Sequence, residues 1–475
     1  MEALSPTYSA PEPVATIRPA APRVAAVPLA AQAVATVFLP LRFVLTGVAS
    51  LFLGVLLLTL RPDLLATYHY NQYIIAVTHL FTLGFVTSVI MGAMYQLVPV
   101  ALETKLYSPR LAKWQFVCHL VGVAGMVWMF WRWDLKQVGH FGSVFAVGVA
   151  LFVFNIGRTL RRVPRWNPIA TAIASALGWL ALTVLVGLAL AAAKCAYPDE
   201  PSSIAARAVA PALVALRALA GFVGRFDQMA AMHAHAHLGA VGFILLLLVG
   251  FSFKLVPMFT LSEVRSWQRV RWSLGLLNAG LALAFFGILL RHPVKFAGAL
   301  TVAGGLAVYL VEIVAILRAR KRRVLDWGLR YFVTALTVLG ATGLLGVALS
   351  WPRLRLTSFT GQMENLYGFA FLVGVVALAI LGMLYKILPF LVWHARYSPL
   401  IGRQKVPSLA DLYSPRLQIA GYWTFLAGFI ATAVATLAAS ERALPWGCGL
   451  LLLSLVIFAV NAALILRHLA PLRTP

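Results

Sequence analysis

Charge is what this sequence has least of. Asp, Glu, Lys and Arg make up 11% of its 475 residues, and only 14 residues are acidic. With 61% hydrophobic residues to cover, so few charges exclude a water-soluble globular domain and make lipid the natural solvent. Cysteine is scarce too. Cys118, Cys195 and Cys448 form no CxxC pair, which excludes a disulfide framework and a thiolate metal site. The first 35 residues lack a basic region followed by a short apolar core, so they read as an Ala/Pro-rich disordered cytoplasmic tail rather than a cleaved signal peptide. The net charge of +25 is not a nucleic-acid footprint, because the basic residues fall in short breaks between long apolar runs.

Those runs are what the sequence has in abundance. They lie near 38–60, 73–99, 113–130, 138–157, 168–193, 235–257, 272–290, 297–317, 331–350, 366–390, 417–438 and 446–466. In lipid each must be a helix, since the backbone finds no water to bond, so the fold class is an all-α polytopic membrane protein with about twelve spans. Segment 195–231, apolar but interrupted by charge and proline, reads as an outer interfacial helix. The two tails and the loops after spans 2, 4, 6, 8 and 10 carry about twice as many Lys and Arg as the opposite loops, with RARKRR at 318–323 the heaviest block. That bias places both termini in the cytoplasm of a bacterial-type inner membrane.

The chain also repeats itself. HLFTLGFVTSVIMGAMYQLVPV from His79, HLGAVGFILLLLVGFSFKLVPM from His237 and FAFLVGVVALAILGMLYKILPF from Phe369 align without a gap. Gly84, Gly242 and Gly374 coincide, as do Gly92, Gly250 and Gly382, and then Pro99, Pro257 and Pro389. LYSPRL at 106–111 and 412–417 opens the following helix each time, with Ser as N-cap and Pro in the first turn. Spans 2, 6 and 10 are therefore equivalent members of three four-helix units, 36–165, 166–325 and 326–475. The spaced glycines would let a backbone or a flat cofactor come close.

Histidine sharpens the question of function. Span 6 opens on MAAMHAHAHLGAVGF, and its His237 occupies the same repeat position as His79. An ionisable group at that depth is a functional-site candidate. His233 and His237 share a helix face with Met229, whereas His235 points away in a straight helix. Imidazole with thioether suits copper and neutral imidazole suits haem iron, so His233, His235, His237 and Met229 are candidate metal ligands, and His79 and His237 candidate cofactor ligands. Hydrogen-bonded packing is the alternative for each. His69, His140 and His292 read as solvated residues near loop ends, and His119, His394 and His468 as headgroup contacts. Glu312, in LAVYLVEIVAIL, is the one carboxylate well inside a span; it is either a proton relay or half of an ion pair.

THLFTLGF…GAMYQLVP and AHAHLGAVGF…KLVPMF, set in twelve spans, resemble subunit I of the haem-copper oxidases and nitric-oxide reductases, in a divergent branch near the cbb-type enzymes. The NnrS family is a related comparison. The resemblance spans the membrane region and implies haem b and copper as cofactors, and respiratory membrane subunits or a c-type cytochrome as partners beside the lipid bilayer. It places His79 at a low-spin haem ligand position and His233 to His237 where the family has a copper ligand. The family's span 7 histidine pair is missing from SLGLLNAGLALAFFGILL. In span 10, Asn365, Tyr367 and Phe369 stand where span 6 has its three histidines. The resemblance thus implies an oxidoreductase-like haem or copper protein of respiratory electron transfer or nitric-oxide handling, not a complete oxygen reductase. A copper or small-solute transporter, or a non-catalytic membrane subunit on the same scaffold, are the competing classes.

Overall fold

The computed structural model describes residues 29–194 and 210–469, with side chains from 38 and from 214 onward in the two stretches. Among these residues twelve helices are long and apolar enough to cross a bilayer: Phe38–Leu60, Gln72–Ala101, Pro109–Arg132, Leu135–Leu160, Pro168–Ala192, Gln228–Thr260, Trp267–Leu289, Val294–Arg318, Trp327–Leu349, Ser358–Arg396, Pro415–Leu437 and Leu444–Leu469, spans 1 to 12 below. Each run read from the sequence is one of these helices. No strand occurs among the described residues.

Two expectations at the edges change. The helix of span 1 begins at Leu29, inside the tail expected over 1–35, because LAAQAVATVFL is rich in the best helix former. Residues 1–28 lie outside the described part. In the 195–231 segment, residues 195–209 also lie outside it, and Ala210–Val223 is a helix of 14 residues. At about 1.5 Å per residue it is too short to cross the hydrocarbon core. It rests through Leu219 and Val223 on Ala189 and Leu190 of span 5.

Spans 2, 6 and 10 form the centre. Of their most apolar stretches 61%, 72% and 78% is buried inside the protein, against 28–39% for the other nine spans. The repeated glycines explain how neighbours get so near. A Cβ on Gly92, Gly250 or Gly382 would lie 2.6 Å from Phe43 of span 1, Ala172 of span 5, or Gly328 and Tyr331 of span 9. The close approach foreseen at these positions is made by backbones and side chains.

Each central helix is also widened at one point. Eight residues of π-helix follow His79 (Leu80–Thr87), His237 (Leu238–Leu245) and Phe369 (Ala370–Ala377), the same register in all three. Such segments are rare and tend to sit beside functional residues.

Three hairpins, spans 3–4, 7–8 and 11–12, surround this core and share one construction. Ser108, Ser266 and Ser414 cap spans 3, 7 and 11 by accepting from the backbone N–H three residues on. Fourteen residues later Gly122, Gly280 and Gly428 allow the partner helix in, since a Cβ there would lie 2.6–2.7 Å from the backbone nitrogen of Phe145, Val302 or Leu451. The capped end is then tied to the partner helix. Asn155 accepts from Ser108 N at 2.9 Å and donates to Ser108 O at 2.8 Å. Asn461 does the same to Ser414, at 2.8 and 2.9 Å. In the middle hairpin the corresponding residue is Glu312.

Candidate functional site

The histidine-bearing ends of spans 2 and 6 and the Asn365 end of span 10 meet under the connection between spans 1 and 2. That connection is strapped down by span 10. Gln362 Nε2 donates to Ala66 O at 2.6 Å, and Asn365 Nδ2 donates to Thr67 O at 2.7 Å, to Leu65 O at 3.3 Å and to Gln362 Oε1 at 3.1 Å. Three acceptors fix which way the Asn365 amide points. Its Oδ1 therefore faces His69 Nδ1, 3.2 Å away. An amide oxygen can only accept, so His69 carries its proton on Nδ1 and offers a lone pair at Nε2.

That lone pair points at span 6. His69 Nε2 lies 2.9 Å from His233 Nε2, the rings 5.2 Å apart at 34°. Glu364 Oε2 is 3.9 Å from His69 Nδ1, and His69, His233 and Glu364 each place one ligand atom within 4.8 Å of the others. Among the described residues this is the group of three or more His, Cys, Asp or Glu side chains close enough to hold one metal ion. Burial lowers the His69 pKa, with the Asn365 bond opposing it, so the ring is neutral near pH 7. Beside it the Tyr68 hydroxyl lies 3.7 Å from Met229 Sδ; burial and then the Glu364 charge push its pKa up.

One turn further in, His79 and His237 adopt a common posture. His79 Nδ1 bonds Ile75 O at 2.7 Å, and His237 Nδ1 bonds His233 O at 2.8 Å. A carbonyl can only accept, so the proton sits on Nδ1 and Nε2 is left as the free donor atom. Ring planes are fixed by stacking: His79 on Phe130 of span 3 at 4.5 Å and 30°, His237 on Tyr367 of span 10 at 6.0 Å and 21°. This is the tautomer and orientation that histidines ligating haem iron or copper use, so the donor chemistry fits such a group. In span 10 the equivalent Phe369 instead stacks on Phe429 at 5.6 Å and 12°.

The HAHAH triplet is thus divided. His233 turns to His69 and Glu364, His237 to Tyr367, and His235 packs against Gly187 of span 5, where a Cβ would lie 2.9 Å from its ring. Met229 stands beside Tyr68 and outside the His69–His233–Glu364 group.

Two readings of single histidines are corrected. His69, expected in solvent, is half-buried, because Asn365 from a distant helix holds its loop against the bundle. His119, expected among headgroups, is fully buried and bonds Ser88 Oγ at 2.8 Å; it lines a cavity of about 410 Å³ between spans 1, 2 and 3. His140 and His292 are exposed, as expected; His394 is exposed too, while His468 is held by the Tyr397 hydroxyl at 2.7 Å.

Glu312 lies at the opposite end of the bundle and is fully buried. Its Oε1 accepts from Arg265 N at 2.6 Å and Ser266 N at 3.0 Å, and its Oε2 accepts from Arg269 Nε at 2.6 Å. Both oxygens are engaged in tying the cap of span 7, which accounts for its burial.

No family model matches this sequence, and no curated protein matches it. Among solved structures the chain is similar to a haem-copper terminal oxidase dimer, at 13% identity and a TM-score of 0.42, covering 93% of this chain and 84% of that one.

Proposed function

We propose that this chain is an integral membrane protein that holds haem b, copper or both on His79 and His237, and serves respiratory electron transfer or nitric-oxide handling. The observation that carries the reading is the shared posture of these two residues. They occupy one repeat position, precede a π segment in each helix, and present Nε2 with Nδ1 tied to a carbonyl. The sequence resemblance to oxidase subunit I points the same way.

When bound, iron or copper would supply a one-electron redox change. The chain's own residues do the rest. Ile75 O and His233 O keep the protons on Nδ1, and Phe130 and Tyr367 fix the ring planes. Without the span 7 histidine pair and with Phe369 in span 10, the residues do not assemble a complete oxygen-reducing centre. Three four-helix units, cytoplasmic termini, an inner-membrane location, and a respiratory subunit or c-type cytochrome as partner complete the reading.

The test is an optical spectrum and metal analysis of protein purified from iron- and copper-replete cells. A Soret band or stoichiometric copper is expected; a colourless, copper-free protein would overturn the proposal.

A further inference from the structure

We infer that His69, His233 and Glu364 form a second metal site, for a divalent first-row transition ion, distinct from the His79 and His237 positions and independent of whether those hold a cofactor. The three ligands come from the loop between spans 1 and 2, from span 6 and from span 10, so an ion there would pin together segments up to about 300 residues apart.

The hydrogen-bond inventory is what singles the site out. Asn365 fixes the proton of His69 on Nδ1, which aims an Nε2 lone pair at His233 Nε2. Two ring nitrogens at 2.9 Å need a bridge between their lone pairs, either the Nε2–H of a neutral His233 or a metal ion. Glu364 supplies the negative charge that a neutral N–H···N bond would not require, whereas a dication would. Asn365 does for His69 what an outer-shell carbonyl does for a metal-bound histidine: it fixes tautomer and ring direction.

Geometry narrows the ion. With metal–nitrogen bonds of about 2.0–2.1 Å, nitrogens 2.9 Å apart subtend about 90° at the metal. That is the cis angle of tetragonal or six-coordinate centres, as for copper(II) or iron(II), rather than the wider tetrahedral angle usual for zinc. Two imidazoles and one carboxylate leave positions open for a small exogenous ligand.

The experiment uses the full chain, stripped with a chelator and titrated with copper(II), read by equilibrium dialysis and by electron paramagnetic resonance for coupling to two nitrogens. One tight equivalent with that coupling is expected. It should be lost in His69→Ala, weaken at least tenfold in Glu364→Gln, and persist in His79→Ala. Unchanged binding and coupling in both His69→Ala and Glu364→Gln would overturn the site, and so would the lack of any stoichiometric copper(II) binding by the wild type. Either result leaves the reading of His79 and His237 as haem ligands standing. Loss of haem or copper in His79→Ala or His237→Ala, with the His69 signal intact, would show the two to be separate.

Discussion

His79 and His237 are 158 positions apart in the chain and hold the same pose: each gives Nδ1 to the carbonyl of the residue four earlier, at 2.7 and 2.8 Å, and each ends the α-helical turn before a π segment. Two buried-end histidines matched in tautomer, register and backbone setting are hard to explain by packing alone, since packing selects shape and not the identity of a free nitrogen. Phe369, at the third equivalent position, shows the alternative outcome: an aromatic ring stacked on Phe429.

The Glu312 clip makes a prediction about stability. Glu312→Ala removes the acceptor of two backbone N–H groups and the partner of Arg269, and should cost about 2–4 kcal/mol, reduced from a fully buried pair because Arg269 reaches solvent. Glu312→Gln keeps an acceptor for the N–H groups and should cost about 1–2 kcal/mol. Thermal unfolding in detergent checks both. A proton relay would instead leave Glu312→Gln stable and change only proton-coupled redox behaviour.

Much of this was legible in the sequence, and the exceptions have physical reasons. Hydropathy located every span, because lipid forces apolar runs into helices. The glycines and LYSPRL disclosed the recurring contacts, since close backbone approach and serine capping need those residues. Glu312 could have been recognised as a clip: it stands 46 residues after the N-cap Ser266, as Asn155 and Asn461 stand 47 after Ser108 and Ser414. His69 and Glu364 could not. Their meeting depends on Asn365 holding a loop from the other end of the chain, and no local pattern encodes a contact across 296 positions. The π segments likewise have no local signature beyond the aligned glycines.

A second prediction concerns the hairpins. Gly280→Ala would set a Cβ 2.6 Å from Val302 N and force spans 7 and 8 apart, at about 1–3 kcal/mol. Gly157→Ala, in span 4 with nothing within 4 Å of the new Cβ, should be neutral or stabilising by up to about 1 kcal/mol. The pair of melting temperatures separates close packing from mere helix propensity.

A third concerns the strap over the site. Asn365→Ala frees Leu65 O, Thr67 O and His69 Nδ1 together, and should cost about 1–3 kcal/mol. Hydrogen exchange should then rise in residues 61–71 while the spans stay protected. Unchanged exchange in that loop would mean that Asn365 does not hold it.

The most direct measurement compares the optical spectrum and the iron and copper content of wild type, His237→Ala and His235→Ala, purified side by side. The account predicts that His237→Ala loses the pigment or metal, and that His235→Ala, whose ring packs against Gly187, retains it. Wild-type protein without haem or copper, or loss on His235→Ala with retention on His237→Ala, would contradict it.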